Sequence, residues 1–599
     1  MTMATTTIDT TAKDTTAPAR GPIALPQGAA RALIVGGSVL TIASTFLAWT
    51  WTSAFPGDLT VYGYPAGLQM LTIVAAAVSL LFGLNLWNVR GLGWVNPARA
   101  TAPVFLGALS AFAVVWFTMI AIAVDLGGLA NLEPGGYVAA VASLLPVIGA
   151  LALPHPGDSW KAYFKKPDGI PAPAGTLAPW AQRLIITVVT AIGLVAFTYG
   201  LGVDDEESET FIGFLLLVVL TCWALFSAGL IERFSHLNAL HRGFATSMIF
   251  IAAAIFPFTQ SDDATANLGV SILIFGTVAL GLNIVVGLTG LLDLGYVAFL
   301  GVGAYAAALV SGSEFSRFSG VQFPFWAAAL TGMAASLVFG VLIGAPTLRL
   351  RGDYLAIVTL GFGEIFRIAI NNLDGTSGPD ITNGPDGIAQ IPDLEIFGFN
   401  FGAAHQVAGF TLGRFANYFF LMLLITALVV LVFTRAANSR IGRSWIAIRE
   451  DETAATAMGI NGFRVKLIAF ALGASLAGLA GTVSAHVTYS VVPNPYMFAG
   501  AAPPNSAFLL AAVVLGGMGT VSGPILGATL LYLLPEKLGF LKEYELFAFG
   551  VALVLLMRFR PEGVIANRRR QLEFHETGQL DVPEQGLTEN TVGVTKSGA

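Results

Sequence analysis

Residues 506–534 read Ser506-Ala-Phe-Leu-Leu-Ala-Ala-Val-Val-Leu-Gly516-Gly517-Met-Gly519-Thr-Val-Ser-Gly523-Pro524-Ile-Leu-Gly-Ala-Thr-Leu-Leu-Tyr-Leu-Leu534. The run is apolar and long enough to cross a bilayer, which takes about 20 helical residues for a hydrocarbon core of ~30 Å. Four glycines and Pro524 interrupt it midway, and a continuous helix tolerates such a cluster poorly. The expectation is two half-helices that enter the membrane and return, and that reading sets the parity of the whole chain. Unbroken apolar runs recur at about 32–52, 68–88, 103–124, 136–153, 183–201, 210–231, 244–259, 268–288, 291–312, 324–345, 353–372, 415–434, 466–488 and 544–557. The predicted fold is therefore all-α, a polytopic integral membrane protein of about 14 crossings plus one re-entrant Gly-rich segment.

Loop charges agree with an even number of crossings and two inside termini. The inner loops would hold Arg90, Arg99, Lys161, Lys165, Lys166, Arg233, Arg242, Arg349, Arg351, Arg435, Arg440, Arg443 and Arg449, followed by Arg558, Arg560 and Arg568 to Arg570. The outer loops would hold Asp58, Asp125, Glu133 and the acidic run Asp204 to Glu207, with Arg317, Arg414, Lys537 and Lys542 as exceptions. Composition excludes most other classes. Of 599 residues 55% are hydrophobic and 11% charged, with a mean hydropathy of +0.74. A soluble domain carries roughly a quarter of its residues as charges, so a soluble enzyme or a disordered scaffold does not fit. The net charge of −6 offers no basic field for nucleic acid, and the single Cys222 excludes an intrachain disulfide or a multi-Cys zinc site.

Along the chain, residues 1–30 (Thr-, Ala- and Pro-rich) and 571–599 (polar) read as disordered tails without a secretory signal. Residues 154–182, with six prolines, read as an inner linker. A boundary near 232–243 separates an additional N-terminal unit of about six helices, 31–240, from a membrane core, 241–570.

Within that core the segment Gly442-Arg-Ser-Trp-Ile-Ala-Ile-Arg449-Glu450-Asp451-Glu452-Thr-Ala454-Ala455-Thr-Ala-Met-Gly459-Ile-Asn461 lies between two spans on the inner side. Residues 450–458 suit a short helix with acidic residues in its first turn, alanines forming a smooth face, and Gly459 ending it in a left-handed turn. Two readings fit the spacing Glu452-x-Ala454-Ala455-x-x-x-Gly459 equally: a docking contact for another protein, or an interfacial helix joining two spans.

This segment, continuing into Phe463 to Phe470 and Ala477 to Gly481, resembles the coupling loop of ABC importer permeases, and more narrowly the LivM-type permease of branched-chain amino acid importers. Three further stretches resemble the Gly-rich motifs of that family, in order: Gly281 to Tyr296 with Gly301 to Tyr305, Arg349 to Arg367, and Val514 to Pro524. The resemblance covers about 265–565; residues 1–240 lie outside it, and Pro503-Pro504-Asn505 stands where the family has an acidic residue before Ser506. It implies a permease subunit in the cytoplasmic membrane without a resident cofactor or catalytic site. It also implies two ABC ATPase subunits, a second permease subunit and an extracytoplasmic solute-binding protein. A phosphate-binding loop needs Gly-Lys before its Ser or Thr, and this sequence has no Gly-Lys dipeptide, so ATP would be bound by the partners.

Broken helices offer free N–H and C=O groups at membrane depth, which suits a zwitterion. The two Gly-rich places are 287–303 and 516–527, giving Gly287, Gly290, Asp293, Gly295, Tyr296, Gly516, Gly517 and Gly519 as candidate pathway residues. Close helix packing is the competing reading of those glycines. Asp293 is either a membrane-depth carboxylate or an interface residue between two spans. Glu364 and Arg367 share a helix face at i,i+3 and form either a structural ion pair or a gating pair in the pathway. His486 reads as an interface residue. Cargo other than branched-chain amino acids (urea, short amides) fits the same fold, and a self-contained secondary transporter or channel is the reading from a different class.

Overall fold

Long apolar runs with few charges satisfy their backbone internally as helices. The computed structural model describes residues 21–51, 60, 67–154, 160–164, 178–203, 208–260, 262–350, 353–407, 409–500, 504–539, 544–559 and 563–565. The acidic run 204–207, Arg351, Pro503, the tails 1–20 and 566–599, and linker residues 155–159 and 165–177 lie outside the described residues. Contacts divide the chain into two units at Ala252 and Ala253.

The first unit contains α1 (Gln27–Ser44), α2 (Leu68–Leu86), α3 (Thr101–Asp125), α4 (Pro134–Leu151), α5 (Pro179–Gly202), α6 (Ser208–Ser227) and α7 (Leu230–Leu240), and α8 (Arg242–Ile255) runs across the division. Its core gathers Ile34, Phe82, Val104, Leu106 and Ala150. Buried hydroxyls bond back along their own helices, Thr41 to the Gly37 carbonyl and Thr118 to that of Val114, so no polar group faces lipid unpaired at these sites. Trp51, Trp87, Trp94, Trp160 and Trp180 are exposed in connections or at helix ends, as expected of an aromatic belt at the membrane interface.

The second unit contains α9 (Asp263–Asn283), which runs on as a π-turn over Ile284–Leu288, then α10 (Val297–Leu309), α11 (Phe325–Thr347), α12 (Asp353–Asn371), α13 (Arg414–Asn438), α14 (Arg440–Glu450), α15 (Glu452–Ala457), α16 (Gly462–Thr488), α17 (Ser506–Gly516), α18 (Ser522–Lys537) and α19 (Glu545–Phe559). Helices α9 and α16 form its buried centre. Small residues let the backbones of α10, α11 and α16 approach closely: a methyl on Gly303 would overlap the Gly478 backbone, and one on Gly332 would lie 2.9 Å from the Gly303 carbonyl oxygen.

Eleven helices among the described residues are long and apolar enough to cross a membrane. Of the runs read from sequence as crossings, α1, α10 and α19 fall outside that set. The run expected over 291–312 is a 13-residue helix starting at Val297, because residues 289–296 are an irregular break. The stretch 506–534 does form two short helices. At 1.5 Å per residue, the 11 residues of α17 reach about 16 Å, too short to cross. The long connection 372–413 carries two hairpins that sequence periodicity does not announce: β1 (Glu395–Ile396) with β2 (Phe399–Asn400), and β3 (His405–Val407) with β4 (Phe410–Leu412).

That connection is fastened to α13 and α16 through Arg414. Its guanidinium donates to Asp393 Oδ1 at 2.9 Å and to the carbonyls of Val487 and His486, and it lies 3.5 Å from the Tyr489 ring centroid. The hydroxyls of Tyr418 and Tyr489 donate to the same carboxylate. His486 is buried, with Nδ1 3.0 Å from the Pro392 carbonyl oxygen.

Candidate coupling and translocation site

The segment 439–461 between α13 and α16 is built from caps. Ser439 Oγ accepts the Gly442 N–H and starts α14, whose Trp445 is buried and donates to the Val465 carbonyl at 2.9 Å. Helix α14 ends at Glu450. The single short helix expected over 450–458 is therefore shorter and begins at Glu452: Asp451 caps it, its Oδ1 accepting the N–H groups of Thr453 and Ala454. Asp is a strong N-cap, which is why the helix restarts there. Gly459, at φ +86, terminates it as expected. Ala455 points inward, while Thr453, Ala454, Thr456, Ala457, Met458 and Gly459 are exposed. The outer face is thus small side chains around one flexible Met458. Glu452 meets the buried Lys466 of α16 at 2.7 Å, so the short helix is tied to a spanning helix.

The two Gly-rich segments meet. Gly287 lies in the π-turn after α9, and a methyl on it would come within 2.6 Å of the Gly519 nitrogen. Asn283, fully buried, accepts the Gly519 N–H at 2.8 Å and donates to the Thr520 carbonyl at 2.6 Å. Gly516 packs against the Gly523 carbonyl, and Gly517, at φ +124, turns the chain between α17 and α18. Backbone bonds from Val564 and Ile565 to Leu515 and Gly516 hold the end of α17 against the segment after α19. Arg449 donates to the Gly287 carbonyl at 2.6 Å, and its stem covers Gly290.

Asp293 is buried in the break before α10. Its Oδ1 accepts the Gly295 N–H at 3.0 Å, and Oδ2 has no hydrogen-bond partner among the described residues. Gly295 lies against the Thr359 carbonyl of α12, and Tyr296 donates to the Gly473 carbonyl of α16 at 2.6 Å. The Val297 N–H reaches Ser506 Oγ, and Asn505 caps α17 through the Phe508 N–H. Asn serves here as the N-cap that an acidic residue would also supply. Glu364 and Arg367 pair at 2.9 Å on α12, both partly exposed, and the Phe498 N–H approaches Glu364 Oε1 at 3.4 Å. They stand apart from the Gly287–Gly519 junction; no hydrogen bond joins the two among the described residues.

Asn283 and Lys466 are absent from the residues picked out by sequence, although each is polar within or beside an apolar run, a signal that by default marks function or a fixed partner. No group of three or more His, Cys, Asp or Glu able to hold a metal occurs among the described residues.

The family described as "Branched-chain amino acid transport system / permease component" matches residues 264–557. The chain is 40% identical over 350 residues to the high-affinity branched-chain amino acid transport system permease protein LivM of Salmonella typhimurium, covering 56% of this chain and 77% of that protein. It is likewise 40% identical over 341 residues to LivM of Escherichia coli K12 (54% of this chain, 75% of that protein). The permease LivH of the same organism is 33% identical over 146 residues, 24% of this chain and 45% of that protein. No solved structure matches. Eleven candidate membrane spans, the break before α10, the short apolar helix pair α17 and α18, and two relatives matched over three-quarters of their length lead to one conclusion: the chain is a multi-pass membrane protein that belongs to the branched-chain amino acid transport permease family.

Proposed function

We propose that the chain is the membrane subunit of an ATP-driven importer that moves leucine, isoleucine or valine inward across the cytoplasmic membrane. Both termini and the docking segment face the cytoplasm. Two ATPase subunits bind and hydrolyse ATP, a second permease subunit completes the path as a heterodimer, and a solute-binding protein delivers substrate from outside. The observation that carries this reading is the docking segment: a capped six-residue helix whose exposed face is small and smooth, tied by Glu452 to Lys466 at the start of a spanning helix. The names of the LivM relatives, high-affinity branched-chain amino acid transport system permeases, support the cargo.

In this mechanism Met458 and the alanine face seat in a cleft of an ATPase subunit, Asp451 and Gly459 hold the helix at fixed length, and the Glu452–Lys466 pair passes its displacement to α16. Substrate crosses beside the broken helices, along the segments that hold Gly287, Gly290, Gly295, Gly516, Gly517 and Gly519. Asp293 and Tyr296 anchor the break between α10, α12 and α16, and the Glu364–Arg367 pair on α12 serves as a gate apart from that junction. The first unit lies outside the matched family region.

Reconstituted with its partners, the native complex should show hydrolysis stimulated by the loaded binding protein and leucine uptake that excess isoleucine, not urea, suppresses. Glu452→Ala, which strands the Lys466 ammonium, and Gly459→Val, strained at positive φ, should each reduce uptake per ATP about tenfold. Unchanged coupling in both variants would remove the docking role.

A further inference from the structure

Three elements distant in sequence meet on one turn of backbone. The π-turn Ile284–Leu288 carries one residue more than an α-helical turn, which loosens the local bonding and leaves carbonyl groups available to outside donors. Arg449, at the end of α14, takes the Gly287 carbonyl from one side. Asn283, immediately before the turn, holds the re-entrant tip from the other with two bonds of opposite sense, to the Gly519 N–H and the Thr520 carbonyl. Two bonds from one planar amide fix the tip in orientation as well as position. Residues 283 and 287 are one helical turn apart, about 6 Å along the axis, so little compliant structure separates the two grips. Gly287 and Gly290 carry no side chain to hold these partners away, and methyls there would strike Asn283 and the Arg449 stem respectively.

We propose that Arg449 and Asn283 form a two-step mechanical linkage through which movement of the docking segment displaces the re-entrant tip 517–521, with the π-turn Ile284–Leu288 as its hinge. The proposal rests on the importer reading above and adds the route that the stroke takes. When an ATPase moves α14 and α15, Arg449 draws on the Gly287 carbonyl. The turn can shift its bonding by one residue, a change that rotates Asn283 and carries Gly519 and Thr520 with it. The Glu452–Lys466 pair moves α16 in parallel, so the linkage governs the tip and not the docking itself. Asn283 and Arg449 are therefore positioning residues, acting on the tip through the backbone of Gly287 and Gly519.

The test uses the full complex in proteoliposomes, with radiolabelled leucine uptake and phosphate release measured together for Asn283→Ala, Arg449→Lys and the double variant. Each single variant should keep hydrolysis near the native rate while leucine carried per ATP falls about tenfold, and the double variant should fall no further, because the two act in series. Hydrogen exchange of the 517–521 amides should respond to ATP in the native complex and lose that response in Arg449→Lys, the variant least able to disturb folding. Native coupling in both single variants, multiplying effects in the double variant, or an ATP response at 517–521 that survives Arg449→Lys would overturn the linkage alone. A native complex without leucine-dependent hydrolysis would overturn the importer reading and the linkage with it.

Discussion

Replacing Arg414 by alanine is expected to lower stability by about 3–5 kcal/mol, the range for breaking a buried ion pair from one side. The side chain is largely buried, as is its Asp393 partner, and the change leaves that carboxylate with only the Tyr418 and Tyr489 hydroxyls and strands the carbonyls of His486 and Val487. It also removes a cation from the faces of Tyr489, Tyr418 and Phe415. Lysine should recover little, since an ammonium cannot reproduce a planar fork that serves three oxygens at once. Thermal unfolding of the purified chain should show the loss as a lower Tm, with faster hydrogen exchange over the β1–β4 connection. A Tm within a degree or so of native would mean that the connection is held elsewhere. Burial, then the hydrogen bond to Asp393, pushes the Tyr489 phenol up from its ordinary value. A raised folded-state value contributes stability that is present below the usual phenol range and lost as pH rises through the raised value. The fastening should therefore hold through neutral pH and loosen only in strong alkali.

Gly295→Ala should be comparably severe. A methyl there would overlap the Thr359 carbonyl oxygen and come within 3.2 Å of the Gly363 nitrogen. Overpacking in a close-packed interior costs about 1–3 kcal/mol when side chains can yield, and more when the obstacle is backbone. The break before α10 and helix α12 would have to separate, parting the Leu294 N–H from Thr359 Oγ1. Gly361→Ala on the same helix is the control, because nothing lies within 4 Å of its added methyl. It should be neutral or gain up to about 1 kcal/mol of helix propensity. Fluorescence-detected size exclusion of membrane extracts would compare them, and equal folded yields would show that α12 stands off from the break.

Helix existence was legible in the sequence because bilayer-length apolar runs admit few other structures. The half-helices of 506–534 were legible for the complementary reason: clustered glycines and a proline leave a continuous span unfavourable. The restart at Asp451 and the break at 289–296 were less so. Both depend on which local cap or turn prevails, a choice among alternatives within ~1 kcal/mol of one another. The hairpins at 395–412 were illegible, since strands of two and three residues have too little length for an alternating pattern to register. The short helix before Gly459 could be read from spacing, whereas the partners of the residues around it could not. Nothing local to Asn283 announces that its amide meets residues 519 and 520, or that Arg449 reaches a carbonyl 162 positions away.

The three-helix contact at Gly303, Gly332 and Gly478 has a consequence for how the protein can be altered. Each position is closed by the backbone of another: Gly303 by residue 478, Gly478 by the Gly332 carbonyl, and Gly332 by the Gly303 carbonyl. No order of single substitutions leads out of such a ring, because the first step always meets backbone. A library randomised at one of the three should return glycine alone, and diversity should emerge only where the helices are redesigned together. In engineering terms the contact is a single three-letter word, replaceable whole and uneditable letter by letter.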